Sequence, residues 1–297
     1  MAERSVILVT GATGNVGRHV VSGLVAEGAA VRAVTRDPDS AHLPDGAEIV
    51  RADLSAAGAL DGHLDGVGAV FLVWPFFTAG VAPALLDVIG RHARHVVYLS
   101  AMSVHDDREP QHNGIWGEIE QMVQRSGSAW TFLRASGFAT NTLAWADQIR
   151  AEGVVRWPYG GAARSLVHER DIAAVAVRAL TEAGHYGAKY VLTGPEAVTQ
   201  ADQVRIIGEV TGQPVRWEEL SPTVARQQLT AALGDAGFAD RALGYWATLV
   251  TEPEPVTRTV QEVTGSPART FREWATDHAG DFRRTAETAS PRVSSVR

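Results

Sequence analysis

The amino-acid sequence predicts an α/β protein, a doubly wound parallel sheet with a smaller, mostly helical C-terminal lobe. Three observations predict it. The chain opens with an apolar strand pattern, a turn of three glycines and a helix pattern. Strand and helix patterns then alternate as far as residue 134. Beyond residue 136 that rhythm loosens into stretches rich in Gly, Trp and Tyr. Regular alternation is what a parallel sheet requires, because each crossover needs a helix to bring the chain back. A chain of 297 residues has room for one such domain and an appended lobe.

Residues 6–9 (VILV) are apolar and mostly β-branched, and they run into Thr10 and glycines at 11, 14 and 17. Apolar positions 16, 20, 21, 24 and 25 then follow at helical spacing. A strand, a tight turn and a helix opening at the turn make an anion site, because the first free N–H groups and the positive end of the helix dipole point outward there. Gly11 allows the turn, Gly14 lets a pyrophosphate approach the backbone, and Gly17 lets the helix pack on the strand. Thr13, Asn15 and Val16 complete this dinucleotide fingerprint, so the predicted sheet is of the Rossmann type.

Residues 30–35 read as a second strand, stopped by Arg36, Asp37 and Pro38. Residues 47–51 read as a third, ending at Asp53 and Leu54, and Ser55 caps a short helix through Leu60. Residues 68–74 (GAVFLVW) are almost continuously apolar, as in a strand buried on both faces. A helix over 83–92, a strand over 95–100, a helix over 113–125 and a strand over 129–134 continue the pattern. Residues 137–145 and 153–164 read as walls of a pocket, and 166–168 lead into a helix over 169–181 and a strand over 189–193. The remainder reads as a helix over 200–212, an extended segment over 214–218, a mostly helical stretch over 222–250, and helices over 256–263 and 268–278. The expected division is a dinucleotide-binding domain over 1–136, with 166–193 returning to it. A substrate lobe occupies 137–165 and 194–280, and a flexible tail follows at 281–297, where apolar side chains are scarce.

Composition removes several function classes. A net charge of −7 argues against nucleic acid as a partner. Without cysteine there is no disulfide framework, thiolate nucleophile or Cys-ligated metal, and no histidine–carboxylate spacing suggests another metal site. No signal-peptide pattern is visible, and no apolar run approaches the ~20 residues that span a bilayer. A cytoplasmic protein without membrane partner is expected. Lys189 is the single lysine.

An acid at the end of the second strand would bind the ribose 2′-OH of NAD, whereas an arginine accommodates the 2′-phosphate of NADP. Arg36 favours NADP(H), and Asp37 beside it keeps NAD(H) as the alternative. Asp53 is placed either to meet the adenine amino group or to cap the next helix. Val73 and Trp74 end the fourth strand on the side where open α/β sheets bind ligands. Phe76 and Phe77 follow them, and with Met102, Trp116, Phe138, Asn141 and Trp145 they are the candidate pocket. Trp157 and Tyr159 extend it. Such an aromatic pocket suits a small planar apolar substrate.

TGATGNVG, TRD after the second strand, RADL after the third and LS ending the fifth resemble the atypical short-chain dehydrogenase/reductases. FLVWP, GEIEQMV, TFLRASGF, VHERDIAAVA and TGSPARTFREWATDH bring the resemblance to the NmrA-like, NAD(P)H-binding group over residues 5–280. Ordinary members of the superfamily reduce carbonyls with a Tyr-x-x-x-Lys pair, whose lysine lowers the tyrosine pKa. That pair is impossible here, since His185 stands four residues before Lys189. Ser100 and Ser103 survive near the usual serine position. His105, His112 and His168 are candidate proton donors, and His112 stands near the place where ether-reducing relatives carry a lysine. The leading expectation is an NADPH-dependent oxidoreductase whose quinone-like, aromatic or conjugated acceptor takes its proton from water and so needs no tyrosine. The resemblance implies, as an alternative, a non-catalytic NADP(H)-sensing regulator, and a tailoring reductase or isomerase of secondary metabolism is a third reading. A homodimer is a further expectation.

Overall fold

The structure, a computed structural model, describes residues 5–56 and 58–283. The chain runs through β1 (Val6–Val9), α1 (Gly17–Ala26), β2 (Val31–Thr35), β3 (Ala47–Arg51) and β4 (Val67–Leu72). It continues through α2 (Ala82–His92), β5 (His95–Ala101), α3 (Gly114–Arg125) and β6 (Ala129–Ala135). Next come α4 (Ala146–Glu152), β7 (Val154–Trp157), β8 (Ala163–Arg164), α5 (Glu169–Thr181), β9 (Lys189–Leu192) and β10 (Val198–Thr199). The last are α6 (Gln200–Thr211), β11 (Arg216–Glu219), α7 (Pro222–Leu233), α8 (Ala236–Thr248), α9 (Thr259–Thr264), α10 (Phe271–Asp277) and α11 (Ala279–Phe282).

These elements gather into two compact units. The first holds residues 5–138, Val167–Thr193 and Thr257–Ala268; the second holds Ala139–Leu166, Gly194–Val256 and residues 269–283. Thr257–Ala268 lies in the stretch expected to belong wholly to the lobe, and it returns to the first unit because Val260 of α9 packs into that unit's core.

The first unit is built on a seven-stranded sheet in the order β3-β2-β1-β4-β5-β6-β9, with every pairing parallel. Side chains of a strand alternate between faces, and both faces are filled here. Ile7, Val9, Phe71, Val97 and Leu133 meet Val20, Val21 and Leu24 of α1 and Val175 and Ala176 of α5. Leu8, Val70, Leu72, Val96 and Phe132 meet Leu85, Leu86 and Ile89 of α2 and Ile119 and Val123 of α3. The winding direction reverses between β1 and β4, which opens a crevice beyond their carboxyl ends.

The second unit carries an antiparallel pair, β8 with β10, and a parallel pair, β7 with β11. Its core joins Trp145, Ile149 and Val155 to Ile207, Phe271, Trp274 and Phe282. The helical stretch over 222–250 breaks at Gly234, whose φ of 71° ends α7, and Asp235 caps α8 by accepting from the Phe238 amide.

Two local expectations change. In place of a helix from Ser55, the described residues form turns, and the Asp53 carboxylate accepts from the Ser55 amide at 3.0 Å. Asp281 and Phe282, expected in the tail, instead end α11 with Phe282 fully buried. Arg283 follows as the C-terminal cap of α11, and residues 284–297 of that expected tail lie outside the described residues. Among the described residues no helix is long and apolar enough to cross a membrane, and no group of His, Asp and Glu could hold a metal ion.

Candidate functional site

The glycine turn is fixed by two close approaches. Gly11 has φ of +60°, and a Cβ there would stand 3.2 Å from Val73 Cβ, so the β4 end packs directly against the turn. At Gly17 a Cβ would fall 2.1 Å from the Gly11 carbonyl oxygen, which excludes any side chain. Buried Thr10 locks the two strands together: its Oγ1 accepts from the Val73 amide at 2.8 Å. The Gly14 amide closes the turn on the Gly11 carbonyl at 2.9 Å. Val16 begins α1 without any side-chain cap. Among the described residues the amides of Thr13, Asn15, Val16 and Gly17 take no protein acceptor, and Thr13, Gly14 and Asn15 are exposed. The cradle therefore fits a dinucleotide pyrophosphate.

The residues expected at the adenosine end separate by their partners. Arg32 is spent in structure, on Glu48 at 2.8 Å and on the His63 and Asp65 carbonyls. Arg36 is exposed, and its guanidinium has no partner among the described residues. Asp37 is turned to its own loop, where its carboxylate accepts from the Ser40 hydroxyl at 2.7 Å, holding the carboxyl below its ordinary pKa. Asp53 is exposed, and the Ser55 bonds keep its carboxyl below the usual range, with Arg36 adding to the effect. Leu54 is buried in the core.

Ser100, at the end of β5, is the start of a buried ionic chain. Its hydroxyl donates to Glu120 at 2.6 Å, and Glu120 takes both Nε and Nη2 of Arg134 at 2.9 and 2.7 Å. Arg134 also donates to Asp106 at 2.7 Å, and the same Asp106 oxygen accepts from Lys189 at 2.7 Å. Hydrogen bonds from Arg134 first, and then Lys189, hold the Asp106 carboxyl below its ordinary range. The lone lysine is thus a structural cation here. Tyr98, two residues before Ser100 on β5, is fully buried, and burial pushes its hydroxyl pKa up.

The remaining predicted residues scatter. His112 sits in a 3₁₀ turn, exposed, with only its amide bonded, to Glu109. Buried Asn113 clasps that loop, accepting from the His105 amide at 3.0 Å and donating to its carbonyl at 2.8 Å. Trp74 is buried, its indole N–H bonds the Thr78 carbonyl, and its ring meets Phe76 edge-on at 5.1 Å on the α2–α3 core. Phe77 is 78% exposed. Met102 donates its amide to Ala135, Trp116 is at the surface of α3, and Phe138 pairs with Val167 against the α1–α5 core.

Asn141 and Trp145 belong to the second unit, where they line a pocket of about 60 Å³. Thr142, Ala144, Trp157, Arg164, Leu166, Gln200, Gln203 and Trp246 complete its wall. The indoles form a cluster, Trp145 on Trp157 at 6.4 Å and Trp157 on Trp246 at 5.5 Å. Tyr159, in the adjoining loop, holds φ of 60°. Glu219 accepts from its amide and from Gly160, while the Gln200 amide donates to the Pro158 and Tyr159 carbonyls. Gln200, Gln203 and Trp246 escaped the sequence reading, and Arg164 was covered only as the end of the segment 153–164. Their only signal was an amide pair three residues apart on one helix and an arginine inside an otherwise apolar segment.

Comparisons with known proteins agree with this geometry. The model of the NmrA-like family matches residues 3–240. The (4-alkanoyl-5-oxo-2,5-dihydrofuran-3-yl)methyl phosphate reductase of Streptomyces griseus is 42% identical over 93% of this chain and 99% of its own. The NAD(P)H azoreductase of Xenophilus azovorans is 36% identical over the same shares. The NADPH complex of a quinone oxidoreductase from Escherichia coli superposes with a TM-score of 0.74 at 25% identity, over 91% of this chain and 99% of that one. The chain belongs to the NmrA-like family of NAD(P)H-binding, atypical short-chain dehydrogenase/reductases, and it is an oxidoreductase.

Proposed function

We propose that this reductase prefers NADPH and reduces a quinone-like, azo or otherwise conjugated aromatic acceptor. The observation that carries the reading is the state of the acid–base groups around Ser100. The lone lysine is bound to Asp106, the Ser100 proton is donated to Glu120, and Tyr98 is sealed in the core. Among the described residues around Ser100, none of these three groups is arranged to deliver a proton to a carbonyl oxygen. A conjugated, electron-poor acceptor tolerates this, because it takes its proton from water. Relatives that reduce azo compounds and quinones support the same class.

Bound NADPH would supply the hydride. The amides of Thr13, Asn15, Val16 and Gly17 would hold its pyrophosphate, Arg36 its 2′-phosphate and Asp53 its adenine amino group. Glu120 fixes the Ser100 hydroxyl in one orientation, so Ser100 acts as a positioning residue. The protein then contributes proximity and orientation.

The test is NADPH oxidation by the purified protein with a panel of quinones, azo compounds and conjugated ketones, with NADH in parallel. Saturable turnover, faster with NADPH, is expected; no turnover above the cofactor-only rate would overturn the acceptor class. A general acid contributes about 100-fold or more to rate. His112→Ala should change turnover far less than this, and a loss of that size would make His112 the proton donor.

A further inference from the structure

The pocket of the second unit has a chemical polarity that restricts its ligand. Its two glutamines are almost wholly buried, and both carboxamide groups have their orientation fixed. Gln200 Nε2 donates to Pro158 and Tyr159 at 3.0 and 2.9 Å, and Gln203 Nε2 donates to Val198 at 3.0 Å. Each Oε1 is therefore committed as an acceptor, has no partner among the described residues, and is not among the sealed polar atoms. Two acceptors of this kind ask for a donor from the ligand.

Arg164 does not make the pocket cationic. Its Nε and Nη2 both lie 3.3 Å from one oxygen of Glu254, a carboxylate whose side chain is 1% exposed. Glu254 is itself held by the Ser165 amide at 2.9 Å and the Tyr245 hydroxyl at 2.6 Å. The arginine charge is cancelled in place, and Nη1 with the second Nη2 hydrogen is left to donate. At about 60 Å³ the pocket takes a head group and not a whole ring, since a cavity that holds benzene is about 150 Å³. The ring of such a ligand would lie along the indole walls of Trp157 and Trp246.

We propose that this pocket is a binding site for the uncharged, hydrogen-bond-donating head of a planar aromatic molecule, a phenolic hydroxyl or an aromatic amine, and that it discriminates against carboxylate and sulfonate heads. A phenolic hydroxyl donates its one hydrogen to a glutamine oxygen and accepts from Arg164, whereas an aromatic amine brings two N–H donors, one for each oxygen. An anion meets two fixed carbonyl oxygens in a field without net positive charge. Strain supports a site of this kind: the Tyr159 backbone, outside the ordinary range, is clamped beside the pocket by Glu219 and Gln200. That the bound molecule is also the hydride acceptor rests on the function proposed above; the binding itself does not.

Equilibrium dialysis without cofactor, read from dye absorbance at neutral pH, separates the two claims. The probes are para-hydroxyazobenzene, para-aminoazobenzene and para-carboxyazobenzene, which share one ring system. Saturable binding of the first two is expected, with the carboxylate at least about tenfold weaker, as loss of one good hydrogen bond would give. Gln203→Leu, with its folded state verified by circular dichroism, should weaken the hydroxy compound about tenfold and narrow the gap to the carboxylate, which loses one repelling oxygen. Equal or tighter binding of the carboxylate, or no saturable binding of any probe to the wild-type protein, would overturn the site. Turnover of the same dyes with NADPH tests the acceptor claim alone.

Discussion

At the scale of single residues the unpaired guanidinium of Arg36 has the sharpest consequence. Arg36→Ser should weaken NADPH binding about tenfold or more and leave NADH nearly unchanged, because a charge-assisted bond contributes about 1.5–3 kcal/mol; calorimetric titration of both cofactors reads this. Buried His95 gives a second prediction. Burial lowers its pKa from 6.5 to about 4, with His185 adding to the effect, while its Nε2 lies 2.9 Å from the Thr131 hydroxyl. The unfolded chain then binds more protons than the folded one throughout that interval. Stability should fall as the pH drops from 6.5 towards 4, by up to about 1.4 kcal/mol per pH unit. Urea midpoints measured across the interval should show the slope, and His95→Gln should flatten it. The glycine turn was legible in the sequence because it acts through its own local geometry. The commitment of Asp37 to Ser40, and of Lys189 to Asp106 across 83 positions, was not, since no local pattern announces a distant partner.

At the scale of elements, the chain of charges from Ser100 to Lys189 ties α3 to β5, β6 and β9. Glu120 and Arg134 are both nearly inaccessible, so removing Glu120 leaves the buried guanidinium with the largely exposed Asp106 as its one remaining carboxylate among the described residues. Glu120→Gln should cost about 3 kcal/mol of unfolding free energy, measured by denaturant titration. The sequence showed β4 and β5 plainly, because strands buried on both faces read as unbroken apolar runs. It also placed α3 and α5 well. It misjudged the segment after Asp53, where a side chain bonding its own backbone competes with helix formation. The aromatic reading was half informative. Trp145 and Asn141 line a pocket, whereas Trp74 and Phe76 pack on the α2–α3 core, and hydrophobic content alone does not distinguish a wall from a core.

At the scale of the whole molecule a doubly wound parallel sheet was expected, with residues 166–193 returning to the first unit, but the return of Thr257–Ala268 was not. β9, from residues 189–192, forms the outer strand of the first sheet beside β6, and α9, from 259–264, covers the same unit. A fragment ended after residue 136 therefore leaves β6 with an open row of backbone donors and acceptors along its length. Such a fragment should aggregate or fail to show a cooperative melt, despite containing the entire glycine motif; scanning calorimetry with light scattering decides it.

That interleaving also sets a timetable. On the ribosome, the nucleotide-binding half cannot reach its final state when its first 138 residues emerge. It must wait for β9, and then for the helix at 259–264. During that interval the hydrophobic β6 margin is open to any neighbouring nascent chain. The protein should accordingly depend on chaperones early in its synthesis and become independent of them only near its end.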